Sequence, residues 1–197
     1  MPLNNKMAFS EIVPFYPEWN FDWFILINNE WTNPAAEAIL PWLRHKLFWV
    51  PLYIFLAFFF VKRHKFNGFW ALAACGVSFA ISNTLSAEIM KPLFALDRPC
   101  NDPNFLDQVI LRVNCGPGKS FPSAHATNHF ALSFCLITMM WAKYKKAVIP
   151  LFLWAAVVSY AQVYVGVHYP VDVLVGGAIG SVIGIGVGLV YNKVFGL

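Results

Sequence analysis

The sequence predicts an all-α integral membrane protein: a bundle of five transmembrane helices preceded by interfacial helices, with a sixth span as the alternative. Of its 197 residues, 58% are hydrophobic and only 12% are charged, too few to cover a soluble core with polar surface. The apolar residues also form five runs near the roughly 20 residues that cross a bilayer. These runs are 47–61, 69–90, 126–142, 147–165 and 171–195.

The segment from Phe21 to Leu43 differs from these runs, because acidic and amide side chains interrupt its apolar residues. We expect one or two helices that lie in the membrane interface, with Trp23, Trp31 and Trp42 at the level of the headgroups. A polar sixth span is the alternative.

No composition shift or linker divides the chain, which predicts a single membrane domain over residues 1–197. This domain has an N-terminal interfacial region, 1–46, and a transmembrane core, 47–195. The first 17 residues have no apolar core followed by a cleavage site, so a removable signal peptide is not expected.

Basic residues cluster in two of the connections. Lys62, Arg63 and Lys65 follow the first run, and three lysines in 143–146 follow the third, without an acidic residue in either cluster. The positive-inside rule assigns both turns to the cytoplasm, so topology explains the net charge of +4 without a nucleic-acid partner. The remaining long connection, 91–125, and the turn at 166–170 then meet on the opposite face.

Two further patterns concern packing and cross-linking. Glycines recur at every fourth position from Gly176 to Gly188, which predicts close approach of another helix. Of the four cysteines, only Cys100 and Cys115 share a polar connection, so only this pair could form a disulfide, and only in an oxidising compartment.

Lys91 and Arg98 stand seven positions apart after the second run. If this segment is helical, both cations lie on one face, where a point charge and a planar guanidinium suit phosphate. Two cations that only anchor the chain to headgroups are the alternative.

Ser123 precedes the third run, directly after Pro122, and is expected to cap that helix. The free N–H groups at a helix N-terminus attract anions, so the Ser123 hydroxyl, backbone donors and the His125 imidazole can converge on one phosphate. A simple cap would leave the histidine in the first turn unexplained.

Pro170 is expected to begin the last helix, with Asp172 in its first turn and His168 just before it. The carboxylate can then accept a hydrogen bond from one imidazole nitrogen and leave a lone pair on the other, as a nucleophilic histidine requires. A capping pair is the alternative.

These segments resemble the three motifs of the type 2 phosphatidic acid phosphatase superfamily, over about residues 20–195. Its first motif, Lys-x6-Arg-Pro, is matched by Lys91, Arg98 and the proline that follows. Its second, Pro-Ser-Gly-His, is matched around Ser123 and His125, with Ala124 in place of the glycine.

The third motif, Ser-Arg-x5-His-x3-Asp, is matched by His168 and Asp172, while Ala161 and Gln162 occupy the Ser-Arg positions. At Gln162 a neutral amide replaces a bidentate cation, and such a loss is expected to lower the rate about a hundredfold or more. Compensation by Arg112 or Lys119 is expected; a slow enzyme and an inactive chain are the alternatives.

The resemblance implies a metal-independent phosphatase without a cofactor. His168 would attack phosphorus to form a phosphohistidine, Asp172 would orient it, and His125 would protonate the leaving oxygen and later activate water. The phosphate oxygens would be bound by Lys91, Arg98, Ser123, Ala124 and Gln162.

The predicted function is hydrolysis of a lipid phosphomonoester or diphosphate at the outer face of the inner membrane of a bacterium. Undecaprenyl diphosphate, phosphatidylglycerophosphate, phosphatidic acid and phosphorylated lipid A all fit the family, and undecaprenyl diphosphate or another glycerol- or prenyl-linked phosphate is the expected substrate. The expected partners are this substrate and membrane lipids, with the oligomeric state open. One alternative is a non-catalytic lipid-phosphate binder or transporter with turnover impaired by Gln162; another is a metal enzyme built from His125, His129, His168 and Asp172.

Overall fold

The computed structural model describes residues 15–196, and every regular element within them is helical, which confirms the all-α class. The prediction about a signal peptide falls mostly on residues 1–14, outside the described residues. The helices are α1 (Glu18–Ile25), α2 (Pro34–Leu43), α3 (Val50–Asn83), α4 (Lys91–Phe94), α5 (Ala124–Met140), α6 (Val148–Tyr164) and α7 (Pro170–Val194). The π-helical turns Leu26–Glu30 and Thr84–Met90 follow α1 and α3.

The helix α3 contains most of the first and most of the second predicted run, and it is divided at Lys65, whose φ of 50° and ψ of −120° are non-helical. Its halves approach closely beside this point, where a Cβ on Gly68 would overlap the carbonyl oxygen of Phe60. Glycine therefore permits this close approach.

Three stretches within the described residues are long and apolar enough to cross a membrane: Lys46–Asn101, Lys145–Tyr164 and Pro170–Val194. The first of these includes both halves of α3. The predicted number of five spans stays a prediction.

The helix α7 packs on α5 through the glycine stripe, as predicted. A Cβ on Gly176 would lie 2.8 Å from the carbonyl oxygen of Ser123, and one on Gly180 would overlap that of Thr127. The stripe thus brings the first turn of α7 beside the N-terminus of α5, where the Ser123 N–H donates to the carbonyl oxygen of Asp172 at 3.0 Å. Helix packing places two of the predicted motifs side by side.

The two basic turns lie together at the other end of the bundle. The Tyr144 hydroxyl is 3.2 Å from Nε2 of His64, and the charges of Lys143 and Arg63 act on the same imidazole. The helix α5 runs from Ser123 to this end, so the basic turns and the predicted site are separated by the length of a helix.

The segment before α3 forms two helices, as predicted, and the first is anchored to the site end of the bundle. The Phe24 ring packs 5.5 Å from the Tyr169 ring, and the Asn28 amide donates to the carbonyl oxygens of Ile110 and Tyr164. Their position in the membrane interface stays a prediction, although the three tryptophans expected at headgroup level, Trp23, Trp31 and Trp42, are exposed.

Candidate active site

His168 and Asp172 lie together at the start of α7. Tyr169 is the N-cap and Pro170 the first helical residue, so the Asp172 carboxylate reaches back and accepts from the Tyr169 N–H at 2.9 Å. Nδ1 of His168 lies 3.2 Å from the same carboxylate oxygen, Oδ2. This contact favours the tautomer with the proton on Nδ1 and the lone pair on Nε2.

Two more hydroxyl groups donate to the buried Asp172 carboxylate. The Tyr16 hydroxyl lies 2.6 Å from Oδ1, and the Ser120 hydroxyl lies 2.5 Å from Oδ2. A buried carboxylate requires such donors to remain ionised. Neither residue was predicted as part of the site, because no spacing pattern links Tyr16 or Ser120 to the first turn of α7.

The electrostatic surroundings of His168 keep its imidazole neutral. Burial lowers the pKa of His168, the charges of Arg98 and Lys91 lower it further, and the Asp172 carboxylate opposes them. The side chain is only 2% exposed. A neutral ring retains the Nε2 lone pair that a nucleophile uses.

Arg98 contacts that same nitrogen, but the condition under which it was expected to share a face with Lys91, a continuous helix, is not met. The helix α4 ends at Phe94, and Ala95 is left-handed with φ of 51°, so Arg98 reaches the site from an extended segment. Its Nη1 lies 3.4 Å from Nε2 of His168 and donates to the carbonyl oxygen of Val167 at 3.3 Å. The guanidinium therefore stands beside the lone pair.

Among the described residues, Lys91 contacts the loop that precedes α5 and makes no hydrogen bond to His168. Its ammonium donates to the carbonyl oxygens of Lys119 and Ser120. An ammonium has three donors, so one remains for another acceptor.

A disulfide joins Cys100 and Cys115, the pair identified from the sequence, within the long connection that precedes α5.

Ser123 caps α5, as predicted: its hydroxyl accepts from the Ala126 N–H at 3.4 Å, and Ala124 is the first helical residue. His125 follows in the first turn, stacked on His129 with ring centroids 6.3 Å apart. The Ser123 N–H donates to the carbonyl oxygen of Asp172 at 3.0 Å, so the second and third motifs form one site.

Gln162 is fully buried near the end of α6, and Oε1 of its amide accepts from Nε of Arg44 at 3.4 Å. The two cations expected to compensate for the missing arginine are engaged elsewhere. Arg112 pairs with Glu37 at 2.8 Å, and Lys119 pairs with an aspartate, Asp97, also at 2.8 Å.

Residues 15–196 contain no group of three or more His, Cys, Asp or Glu side chains arranged to hold a metal ion. His129, the proposed partner of His125 in a metal site, instead has Nδ1 2.9 Å from the carbonyl oxygen of His125. The metal-enzyme alternative therefore has no ligand cluster in the described part of the chain.

A cavity of about 510 Å³ adjoins His125 between α3 and α5. Its walls are mainly apolar, with Tyr53 and Phe79 on α3 and Leu132 on α5, and Lys46 also lines it. A cavity of this kind suits an amphiphile with a polar headgroup.

Residues 69–195 match the PAP2 superfamily. The chain belongs to this superfamily. The match covers all three motifs and confirms the resemblance found in the sequence. This PAP2 protein is a membrane phosphatase, as its named relatives support.

Two of its relatives illustrate the range within the superfamily. A lipid A 4'-phosphatase of Bacteroides thetaiotaomicron is 34% identical over 164 residues, which is 80% of this chain and 70% of the relative. An undecaprenyl-diphosphatase of Sulfolobus acidocaldarius is 33% identical over 165 residues, or 83% and 74% of the two chains.

Solved structures show the same fold. A transmembrane PAP2 phosphatidylglycerolphosphate phosphatase from Bacillus subtilis aligns with a TM-score of 0.66 at 19% identity, covering 98% of this chain and 90% of its own. LpxE of Aquifex aeolicus aligns with a TM-score of 0.61 at 27% identity, covering 89% and 95%.

Proposed function

We propose that this PAP2 phosphatase removes phosphate from a membrane lipid through a phosphohistidine on His168. The observation that carries the proposal is the pairing of Nδ1 with the buried Asp172 carboxylate, at 3.2 Å, while Nε2 faces the guanidinium of Arg98. Asp172 orients Nδ1, so Nε2 keeps its lone pair. A phosphate bound to Arg98 would present its phosphorus to Nε2.

In the first step, the Nε2 lone pair of His168 forms a bond to phosphorus, and the bond from phosphorus to the lipid oxygen breaks. His125 donates a proton to this oxygen, which leaves as the lipid alcohol or, from a diphosphate, as the lipid monophosphate. Asp172 stabilises the charge that develops on the imidazole.

In the second step, a water molecule attacks the phosphorus of the phosphohistidine, and His125 takes a proton from this water. The N–P bond breaks, its electrons return to Nε2, and inorganic phosphate is released. Arg98, Lys91 and the donors at the start of α5 bind the phosphate oxygens in both steps, where negative charge is concentrated in the transition state. None of these roles requires a metal ion or a cofactor.

A phosphorylated lipid A is the substrate best supported. Two relatives named lipid A 4'-phosphatase share 34% and 32% identity over 80% or more of this chain. The apolar cavity beside His125 suits an acylated substrate that enters from the bilayer. Undecaprenyl diphosphate is the second candidate, favoured by the 33% identical undecaprenyl-diphosphatase.

The proposed location is the inner membrane of a bacterium, with the site on the periplasmic or outer face. The two basic turns meet at the opposite end of the bundle, around His64 and Tyr144, which suits a cytoplasmic end. The disulfide between Cys100 and Cys115 lies in the loop at the site and suits an oxidising compartment.

The test is a panel of lipid phosphates, each incubated in detergent micelles with the purified protein and scored for free phosphate. Diphosphorylated lipid A, undecaprenyl diphosphate, phosphatidic acid and phosphatidylglycerophosphate form the panel. Activity is expected to survive EDTA, to vanish in His168→Ala, and to persist in His64→Ala, a matched control at the other end of the bundle.

The alternative of a non-catalytic binder gives a different outcome. It predicts that the wild type binds these lipids but releases no phosphate from any of them. That result would overturn the proposed function, as would activity that EDTA removes.

A further inference from the structure

Arg44 is a cation at the site that none of the three motifs includes. It follows the last residue of α2, is half-buried, and reaches α6, where its Nε donates to Oε1 of Gln162 at 3.4 Å. In the sequence the two residues are 118 positions apart. The fold of the N-terminal region over the bundle is therefore what brings Arg44 to the third motif.

The charge of Arg44 interacts with residues of the proposed phosphate site. It acts on the imidazole of His125, and the charge of Arg98 acts on Arg44. Burial lowers the pKa of Arg44, and the nearby Arg98 lowers it further. Like charges repel, and an anion bound between the two guanidinium groups removes the repulsion.

No carboxylate neutralises Arg44 within the described residues. The ion pairs among residues 15–196 are Arg112 with Glu37, Lys119 with Asp97, and His168 with Asp172. Its hydrogen bonds there are likewise limited to the one from Nε, which leaves the Nη groups as donors for a ligand. A planar guanidinium with free Nη groups matches two oxygens of a phosphate.

Gln162 fits this arrangement, whereas an arginine in its place would not. Its amide oxygen accepts from Arg44, but a guanidinium at the same position has no acceptor and would repel Arg44. Nε2 of Gln162 is also buried and has no hydrogen-bond partner among the described residues. A buried amide donor without a partner is costly, so it too favours an incoming oxygen.

We infer that Arg44 binds the substrate phosphate and that Gln162 positions it, so that the cation missing from the third motif is supplied by the end of α2. This inference rests on the proposed function, because the ligand is the phosphate group that His168 attacks. The neutral amide at position 162 is then matched to a cation that arrives from elsewhere in the chain.

The experiment compares five forms of the protein: wild type, Arg44→Ala, Arg44→Lys, Gln162→Arg, and the double variant of Arg44→Ala with Gln162→Arg. Arg44→Ala is expected to lower phosphate release about 100-fold, the usual size of a lost transition-state donor. Gln162→Arg alone is also expected to lower it, since two guanidinium groups then compete for one position. Combined with Arg44→Ala, however, Gln162→Arg should restore activity about tenfold over Arg44→Ala, because it returns one cation to the site.

Controls separate phosphate binding from a structural role. Arg63→Ala removes an arginine at the basic end and should behave as wild type. Affinity for inorganic phosphate, followed by phosphorus NMR titration, should fall about tenfold or more in Arg44→Ala and stay unchanged in Arg63→Ala. This readout does not depend on turnover.

The inference would be overturned if Arg44→Ala kept the turnover and the phosphate affinity of the wild type. A loss that neither Gln162→Arg nor the conservative Arg44→Lys relieves would also overturn it, since Arg44 would then serve only the fold. If the wild type hydrolyses no lipid phosphate but Arg44→Ala still weakens phosphate binding, the proposed function fails and the inference about Arg44 stands.

Discussion

Nδ1 of His168 lies 3.2 Å from Oδ2 of Asp172, and the two side chains are only 2% and 0% exposed. The pair is formed within five consecutive residues, because Pro170 begins α7 and turns the carboxylate back toward the imidazole. The account of catalysis depends on this contact, which determines which ring nitrogen keeps a lone pair.

Replacing Asp172 by Asn is expected to remove this control while keeping the side-chain volume. The amide cannot stabilise the charged imidazole, and it can hold the ring in the wrong tautomer, so kcat should fall about 1000-fold or more. The measurement is phosphate release under substrate saturation, with circular dichroism to verify the fold. A kcat within a few-fold of the wild type would show that the carboxylate has no catalytic role.

Tyr16→Phe removes the donor that lies 2.6 Å from Oδ1 of Asp172. A hydrogen bond to a buried carboxylate contributes about 2 kcal/mol, so the free energy of unfolding should decrease by about that amount. Turnover should also decrease, because the carboxylate is less firmly held. Unfolding in detergent measures the first effect, with Tyr160→Phe, on α6 outside the site, as control. Equal stability of the two variants would contradict the expectation.

The pH dependence of kcat/KM should follow the lowered pKa of His168. A histidine nucleophile is active when neutral, so activity is lost as the pH falls through its pKa. Burial lowers that pKa, as do the charges of Arg98 and Lys91, while Asp172 raises it. The acid limb should therefore lie below the ordinary histidine value of about 6.5. Removing a positive charge with Arg98→Ala should move this limb to higher pH.

The measurement is a pH–rate profile of the wild type and Arg98→Ala, with the ionisation of the substrate phosphate determined separately by phosphorus NMR. The position of the limb is compared, since Arg98→Ala also lowers the rate itself. A wild-type limb above 6.5, or a limb that Arg98→Ala moves to lower pH, would contradict the electrostatic account.

Gly184→Ala tests the contact between α5 and α7. The added methyl group would overlap the carbonyl oxygen of Ala131 and lie 2.8 Å from the amide nitrogen of Cys135, so the helices must separate. We expect the free energy of unfolding to decrease by about 1–3 kcal/mol. Gly186→Ala is the matched control on the same helix, where a Cβ meets nothing within 4 Å. Equal thermal stability of the two variants would contradict this packing.

The parts of the site that were predictable from the sequence are local. A serine at the start of a helix caps that helix, and a histidine and an aspartate around Pro170 are joined by a single helical turn. Each of these contacts follows from the geometry of one helix. The same applies to the glycine stripe, whose period equals the spacing of residues on one helix face. The all-α class follows from composition, since it needs no particular contact.

The remaining parts depend on tertiary structure. Tyr16 donates to Asp172 across 156 positions and Arg44 to Gln162 across 118, and nothing in their local sequences marks them. Arg98 shows the opposite case: its convergence on the site was expected from helical spacing, but an extended segment produces it. Such contacts arise from how the N-terminal helices and the long loop pack on the bundle.

The most direct test of the account is to trap the covalent intermediate. The protein is mixed with one equivalent of radiolabelled lipid phosphate, quenched in alkali, where phosphohistidine is stable, and analysed by mass spectrometry. The account predicts phosphate on the peptide that contains His168, and no label in His168→Ala. Phosphate bound to a different residue, or equal labelling of His168→Ala, would contradict it.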